Sequence, residues 1–212
     1  MSLPGLYAVV DAEVASAHGW ALVDLAAAVL DGGATLLQVR AKALSSADLL
    51  ELSRQVVALA APFRAAVVVN DRADVAVLAG AAGVHVGQDD LSPAQARAIV
   101  GPDALVGVST HSPDQIAEAA RAPVSYIAVG PVFGTATKDT GYDAVGLDLV
   151  RRAAATSFDV VAIGGVTLEQ VPHVIAAGAT SVAVITDLLA GGNPAARTRA
   201  FVDAAAAARA AL

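Results

Sequence analysis

Short apolar, β-branched runs alternate along the chain with longer alanine- and leucine-rich segments, and the alternation repeats eight times. The runs predict strands at Leu6 to Asp11, Leu36 to Arg40, Ala66 to Asp71, Gly83 to Gly87, Leu105 to Thr110, Tyr126 to Val132, Val160 to Gly164 and Ser181 to Thr186. The segments between and after them predict helices near Ala21 to Leu30, Ala47 to Ala61, Ala73 to Ala79, Pro93 to Val100, Pro113 to Arg121, Leu147 to Ala155, Leu168 to Ala177 and Ala196 to Ala210. Eight strand-helix units in 212 residues predict an α/β protein with one (β/α)8 TIM-barrel domain of parallel strands spanning 1–212. Helix boundaries carry matching local chemistry. Ser92-Pro93 and Ser112-Pro113 place a capping hydroxyl before a proline at the first helical position, and Thr167 with Gln170 fits a capping box. Gly33, Gly80 and Gly178 fall where chains leave helices and a positive φ is favoured.

Polar side chains gather at the far end of these runs. Leu36 and Leu37 lead into Gln38, Arg40 and Lys42; Val67 to Val69 lead into Asn70 and Asp71; Val84 to Val86 lead into Gly87, Gln88, Asp89 and Asp90. Later runs deliver Ser109, then Thr135, Thr137 and Lys138, then Gly164-Gly165, and finally Thr186. In a barrel of parallel strands these residues share one rim, the end at which such barrels carry chemistry. Gln38, Arg40 and Lys42 are spaced by two and face one side if the strand stays extended. A guanidinium there can hold a phosphate bidentately, and an ammonium adds a movable point charge. Asp71 ends the third predicted strand and Asp89 and Asp90 follow the fourth; neighbouring strands lie about 4.8 Å apart, close enough for two carboxylates to share a magnesium ion with phosphate oxygens and water. Gly164-Gly165 and Thr186 follow strands seven and eight, where backbone amides commonly cradle phosphate. His85, inside an apolar run, reads as a barrel-interior residue with a satisfied hydrogen bond; His111 reads as a mouth residue; His18 and His173 read as peripheral.

Composition narrows the partners. A net charge of -7 gives no basic footprint for nucleic acid or an anionic membrane, so an anionic ligand must be met locally by Arg40, Lys42 and Lys138. No apolar run reaches the roughly 18 residues of a membrane span, and Met1 to Tyr7 lack a secretory pattern, which leads to an expected cytoplasmic location. Zero cysteines exclude disulfides and thiolate chemistry.

Six segments in order, Gln-Val-Arg-Ala-Lys at 38–42, Val-Asn-Asp-Arg at 69–72, His-Val-Gly-Gln-Asp-Asp-Leu at 85–91, Gly-Val-Ser-Thr-His at 107–111, Gly-Pro-Val-Phe-Gly-Thr-Ala-Thr-Lys at 130–138 and Ile-Gly-Gly-Val at 163–166, resemble the thiamin phosphate synthase family along nearly the whole chain. The resemblance implies a transferase that couples 4-amino-2-methyl-5-hydroxymethylpyrimidine diphosphate to a thiazole phosphate, with Mg2+ as cofactor and small molecules as partners. It implies pyrimidine diphosphate contacts at Gln38, Arg40, Lys42, Asn70, Ser109 and Lys138, of which Arg40, Ser109 and Lys138 are the expected catalytic groups. It implies magnesium ligands at Asp71 and Asp90, and thiazole phosphate contacts at Thr135, Thr137, Gly165, Ile185 and Thr186. Three positions depart from the family pattern: Thr186 stands for a common serine, Gly134 for a frequent proline, and Ala41 for a frequently larger or charged residue. A thiazole tautomerase of the same barrel family and a non-catalytic thiamin-pathway binding protein are the alternatives. Neither needs the combination of Arg40, Asp71, Asp90, Thr137 and Lys138 that a diphosphate and magnesium require.

Overall fold

Eight parallel strands close on themselves in chain order, β1 to β8, with β8 returning to β1. They are β1 (Leu6–Asp11), β2 (Leu36–Arg40), β3 (Ala66–Asn70), β4 (Gly83–Val86), β5 (Leu105–Thr110), β6 (Tyr126–Val129), β7 (Asp159–Ile163) and β8 (Ser181–Val184). This architecture is seen in a computed structural model that describes residues 3–134 and 143–212. It is the (β/α)8 barrel expected from the alternation.

Helices α1 (Ala12–Ala17) and α2 (Leu22–Asp31) follow β1, and α3 (Ser46–Ala60), α4 (Ala73–Ala79), α5 (Pro93–Val100) and α6 (Pro113–Ala119) follow β2 to β5 in turn. α7 (Gly146–Ala154) precedes β7, α8 (Val171–Ala176) precedes β8, and α9 (Pro194–Ala210) ends the barrel. The expected caps are present. Ser92 and Gln95 form a reciprocal capping box on α5, Ser112 accepts from the Gln115 amide on α6, and Gly33, Gly80 and Gly178 have φ of 95°, 69° and 97°. Thr167 and Gln170 also form their box, but it opens a single 3-10 turn, Leu168–Gln170, before α8 begins, so the expected Leu168 to Ala177 helix is two pieces. α1 has no counterpart among the expected helices. Its N-cap is Asp11, whose carboxylate accepts from the amides of Glu13 and Val14, both at 3.0 Å.

Strand side chains alternate between two environments. The outward set, among them Val10, Val39, Val69, Val84, Ile127 and Val182, packs under the helices; the inward set of Tyr7, Val9, Leu36, Val68, Tyr126, Ala128, Val161 and Ala183 fills the barrel. Gly107 shows how tightly the interior is filled. A Cβ at that position would lie 2.0 Å from Cζ of Tyr126, so β5 carries no side chain where that ring crosses the interior.

Candidate active site

A cavity of about 460 Å3 opens at the C-terminal ends of the strands. Ser109 and His111 line it from β5 and its loop, Gly130 and Pro131 from the end of β6, Ile163 to Thr167 from β7, and Ile185 to Asp187 from β8. His18 lines it too, which corrects its expected peripheral place. The unexpected α1 accounts for the difference, because it starts directly at the rim end of β1 and has His18 as its C-cap. His173 faces outward on α8, and His111 donates from Nδ1 to the Gly130 carbonyl at 2.5 Å.

The basic triplet separates by depth. Gln38 is buried within the barrel and donates to the Tyr7 hydroxyl at 2.9 Å. Arg40 sits one layer higher, at the mouth, and is ion-paired with Asp11, a carboxylate only 3% exposed. Lys42 lies beyond the end of β2, in a turn, so the three do not share one extended strand face as their spacing predicted. Its ammonium pairs with Asp71 at 3.0 Å instead.

Asn70 is the half-buried last residue of β3, and Asp71 follows in a left-handed conformation with φ of 63°, one that aspartate tolerates better than most side chains. Asp71 therefore turns out of the strand that it was expected to end. Asp90 reaches back from the loop after β4 and accepts from the Gly87 amide at 2.8 Å. Partial burial pushes the Asp90 carboxyl above its ordinary range; the Gly87 amide opposes this, the hydrogen bond and charge of Asp71 add to it, and the charge of Lys42 draws it back. Two carboxylates in that proximity repel when both are ionised. An oxygen-donor pair of this kind, with an ammonium beside it, fits a hard divalent cation that meets phosphate oxygens. Among the described residues no larger cluster of acidic and histidine side chains forms a metal site.

Across the mouth, the diglycine is held by close backbone approach. Gly164 and Gly165 have φ of 96° and 66°, and a Cβ on Gly165 would lie 2.5 Å from the Gly134 carbonyl oxygen. Phe133 donates its amide to the Gly164 carbonyl at 3.0 Å, so the loops after β6 and β7 are laced together there. Ile185 and Thr186 follow β8, and Thr186 opens a short stretch of 3-10 turns, Thr186–Gly192, that is interrupted by a kink at Ala190 and Gly191. Asp187 within it accepts from the Leu168 amide at 3.3 Å and pairs with Arg197 of α9 at 2.6 Å, which ties the loops after β7 and β8 to each other. Thr135, Thr137 and Lys138 lie outside the described residues.

Thus Arg40, Lys42, Asp71 and Asp90 stand at the β2 to β4 side of the mouth, Ser109 stands on β5, and Gly165, Ile185 and Thr186 stand at the β7 to β8 side. Sequence reasoning missed Asp11, Asp187 and Arg197, which hold site residues, and His18, which lines the cavity. Asp11 could have been found from its own spacing, since an aspartate two residues before Glu13 at the start of an alanine-rich run reads as an N-cap.

The family model described as thiamine monophosphate synthase matches residues 6–188, from the first strand to the loop after the eighth. The chain belongs to that family. A thiamine-phosphate synthase of Koribacter versatilis is 47% identical over 192 residues, covering 89% of this chain and 90% of the relative. One from Xanthobacter autotrophicus is 42% identical over 205 residues, 96% of each. The solved thiamine phosphate pyrophosphorylase of Pyrococcus furiosus superposes with a TM-score of 0.88 at 26% identity, over 96% of each chain. The family makes this chain an enzyme, a transferase of thiamine biosynthesis. Among the described residues no helix is long and apolar enough to cross a membrane.

Proposed function

We propose that this enzyme joins 4-amino-2-methyl-5-hydroxymethylpyrimidine diphosphate to a thiazole phosphate and releases diphosphate and thiamin phosphate. The observation that carries the reading is that one mouth holds two differently built groups of side chains, each of which we assign to an anion. One is the charged set Arg40, Lys42, Asp71 and Asp90; the other is the glycine-lined rim at Gly165, Ile185 and Thr186, with Ser109 between them. A single phosphate ligand would need only one such site.

In this reading the bond from the pyrimidine methylene carbon to the diphosphate oxygen breaks, and its electron pair leaves with the oxygen. The thiazole ring nitrogen then forms a bond to that carbon. Arg40 and Lys42 present cationic donors toward the leaving oxygens, where stabilisation of developing charge lowers the barrier. Asp71 and Asp90 would hold magnesium, which when bound neutralises charge on the diphosphate. Gln38, Asn70 and Ser109 are the polar groups available to orient the pyrimidine, while Gly165, Ile185 and Thr186 would receive the thiazole phosphate. Lys138 is assigned to the diphosphate, and Thr135 and Thr137 to the thiazole phosphate, on the family pattern alone. No nucleophilic side chain is required.

The test is direct. Purified protein, magnesium and both substrates should yield thiamin phosphate and diphosphate in equal amounts by mass spectrometry, and omission of either substrate should remove both products. Rearrangement of the thiazole phosphate without consumption of the pyrimidine diphosphate would reject synthesis in favour of a tautomerase.

A further inference from the structure

Beneath the mouth, five polar side chains from five strands form one continuous column. Gln38 Nε2 meets the Tyr7 hydroxyl at 2.9 Å, Tyr7 meets the Tyr126 hydroxyl at 3.0 Å, Tyr126 meets His85 Nδ1 at 3.0 Å, and His85 Nε2 meets Ser109 Oγ at 2.9 Å. The first four are buried, and Ser109 lines the cavity. Burial raises both phenols above their ordinary range, so neither ionises near neutral pH and each has one proton to place.

The protons can be followed from Gln38. The Gln38 amide nitrogen only donates, so the Tyr7 oxygen accepts there and directs its own proton to Tyr126. Tyr126 then donates to His85 Nδ1, which accepts only if the imidazole hydrogen is on Nε2. Nε2 donates to Ser109, whose own proton is left to point elsewhere than at His85. The opposite polarity would aim the Tyr7 proton at an amide nitrogen that cannot accept it. A buried column of this kind favours the arrangement in which every donor has an acceptor.

We propose that His85 is a positioning residue: fixed by Tyr126 as the neutral Nε2–H tautomer, it holds Ser109 as a hydrogen-bond donor toward an acceptor atom of the pyrimidine substrate. The identity of that substrate rests on the function proposed above; the tautomer does not. Tyr7 and Tyr126 act through His85 and have no contact with substrate in this scheme.

Long-range proton-nitrogen NMR correlation on the ligand-free, 15N-labelled protein reads the tautomer directly. Only four histidines contribute, and the His85 signals are assigned by their loss in His85→Gln. The expected pattern is a pyridine-type Nδ1 and a pyrrole-type Nε2 in the parent protein, with that preference lost in Tyr126→Phe. In kinetics, Tyr126→Phe should lower kcat/KM about tenfold, the scale of one buried hydrogen bond. His85→Gln, whose amide nitrogen can still donate toward Ser109, should keep clearly more activity than His85→Leu. A pyrrole-type Nδ1 in the parent protein would overturn the proposal, as would equal losses in the glutamine and leucine variants with both folded. Since the tautomer is read without substrate, failure of the synthase assay alone would count against the reaction and not against the column.

Discussion

Asp11→Ala should be among the more damaging single changes at the mouth, although no substrate contact is assigned to Asp11. Its carboxylate does two jobs: it caps α1 through the Glu13 and Val14 amides, and it pairs with Arg40. Loss of an N-cap costs about 1 kcal/mol. Breaking a buried ion pair by removing one partner costs about 3–5 kcal/mol, but Arg40 is 14% exposed and stands at the rim, where water can reach it. A lower figure of about 2–3 kcal/mol therefore applies to the pair, and about 3–4 kcal/mol to Asp11→Ala as a whole. Asparagine caps a helix as well as aspartate does but carries no charge, so Asp11→Asn should retain about 1 kcal/mol relative to Asp11→Ala. Urea unfolding followed by circular dichroism measures both differences, and a heat scan should show a fall of roughly 10 °C for Asp11→Ala. An Asp11→Ala protein within about 1 kcal/mol of the parent, the value of the cap alone, or equal losses for the two variants, would refute this division of labour.

Gly107→Ala should destabilise by about 3 kcal/mol or more, because its Cβ would meet the Tyr126 ring at 2.0 Å; denaturant unfolding would show it. Arg197→Ala removes the cationic partner of Asp187 beside the proposed thiazole phosphate site and leaves only the Leu168 amide to hold it, so steady-state kinetics should show a several-fold rise in KM for the thiazole phosphate and little change for the pyrimidine diphosphate. Chelation should stop turnover and magnesium should restore it, and Asp90→Ala should lose far more activity than Asp89→Ala with both proteins folded; full activity in metal-free buffer would reject both statements. Lys138→Ala should slow the chemical step in single-turnover measurements more than it weakens pyrimidine diphosphate binding, since Arg40 and Lys42 remain to hold the ground state.

Apolar runs predict β1, β2 and β5 to the residue, but carry β3, β4, β6, β7 and β8 past their ends. Val132 shows why. It is buried, 1% exposed, and so reads as strand, yet Pro131 before it has no amide to donate to the ladder and β6 stops at Val129. Hydrophobicity marks burial; strand ends are set by the hydrogen-bond ladder. Arg40, Asp71, Ser109 and Gly165 are legible because a parallel barrel sends every strand end to one rim. The column from Gln38 to Ser109 is not legible. Tyr7 and Tyr126 are 119 residues apart, and nothing local in either sequence shows that their hydroxyls meet. Asp11 escapes a reading by strand pattern because it is at once the last residue of β1 and the cap of the helix that follows.

The two cations on the β2 side are held in ways that suit different tasks. Arg40 is paired with a carboxylate that is nearly inaccessible and is fastened by two helix amides, so neither partner can leave without uncovering the other. Lys42 is about half exposed and its partner Asp71 is 21% exposed. Ion pairs at such positions contribute about 0–1 kcal/mol, so an arriving anion can exchange for Asp71 at small cost. In the proposed reaction, a planar guanidinium held in place would define where a phosphate docks, and an ammonium on a flexible stem would follow charge as it moves. That exchange would also release Asp71 from Lys42 as a diphosphate arrives, which leaves its oxygens available beside Asp90 for a cation brought in with the same ligand. Diphosphate and divalent cation should therefore each tighten the binding of the other, through Lys42 and Asp71, while Arg40 stays where Asp11 holds it.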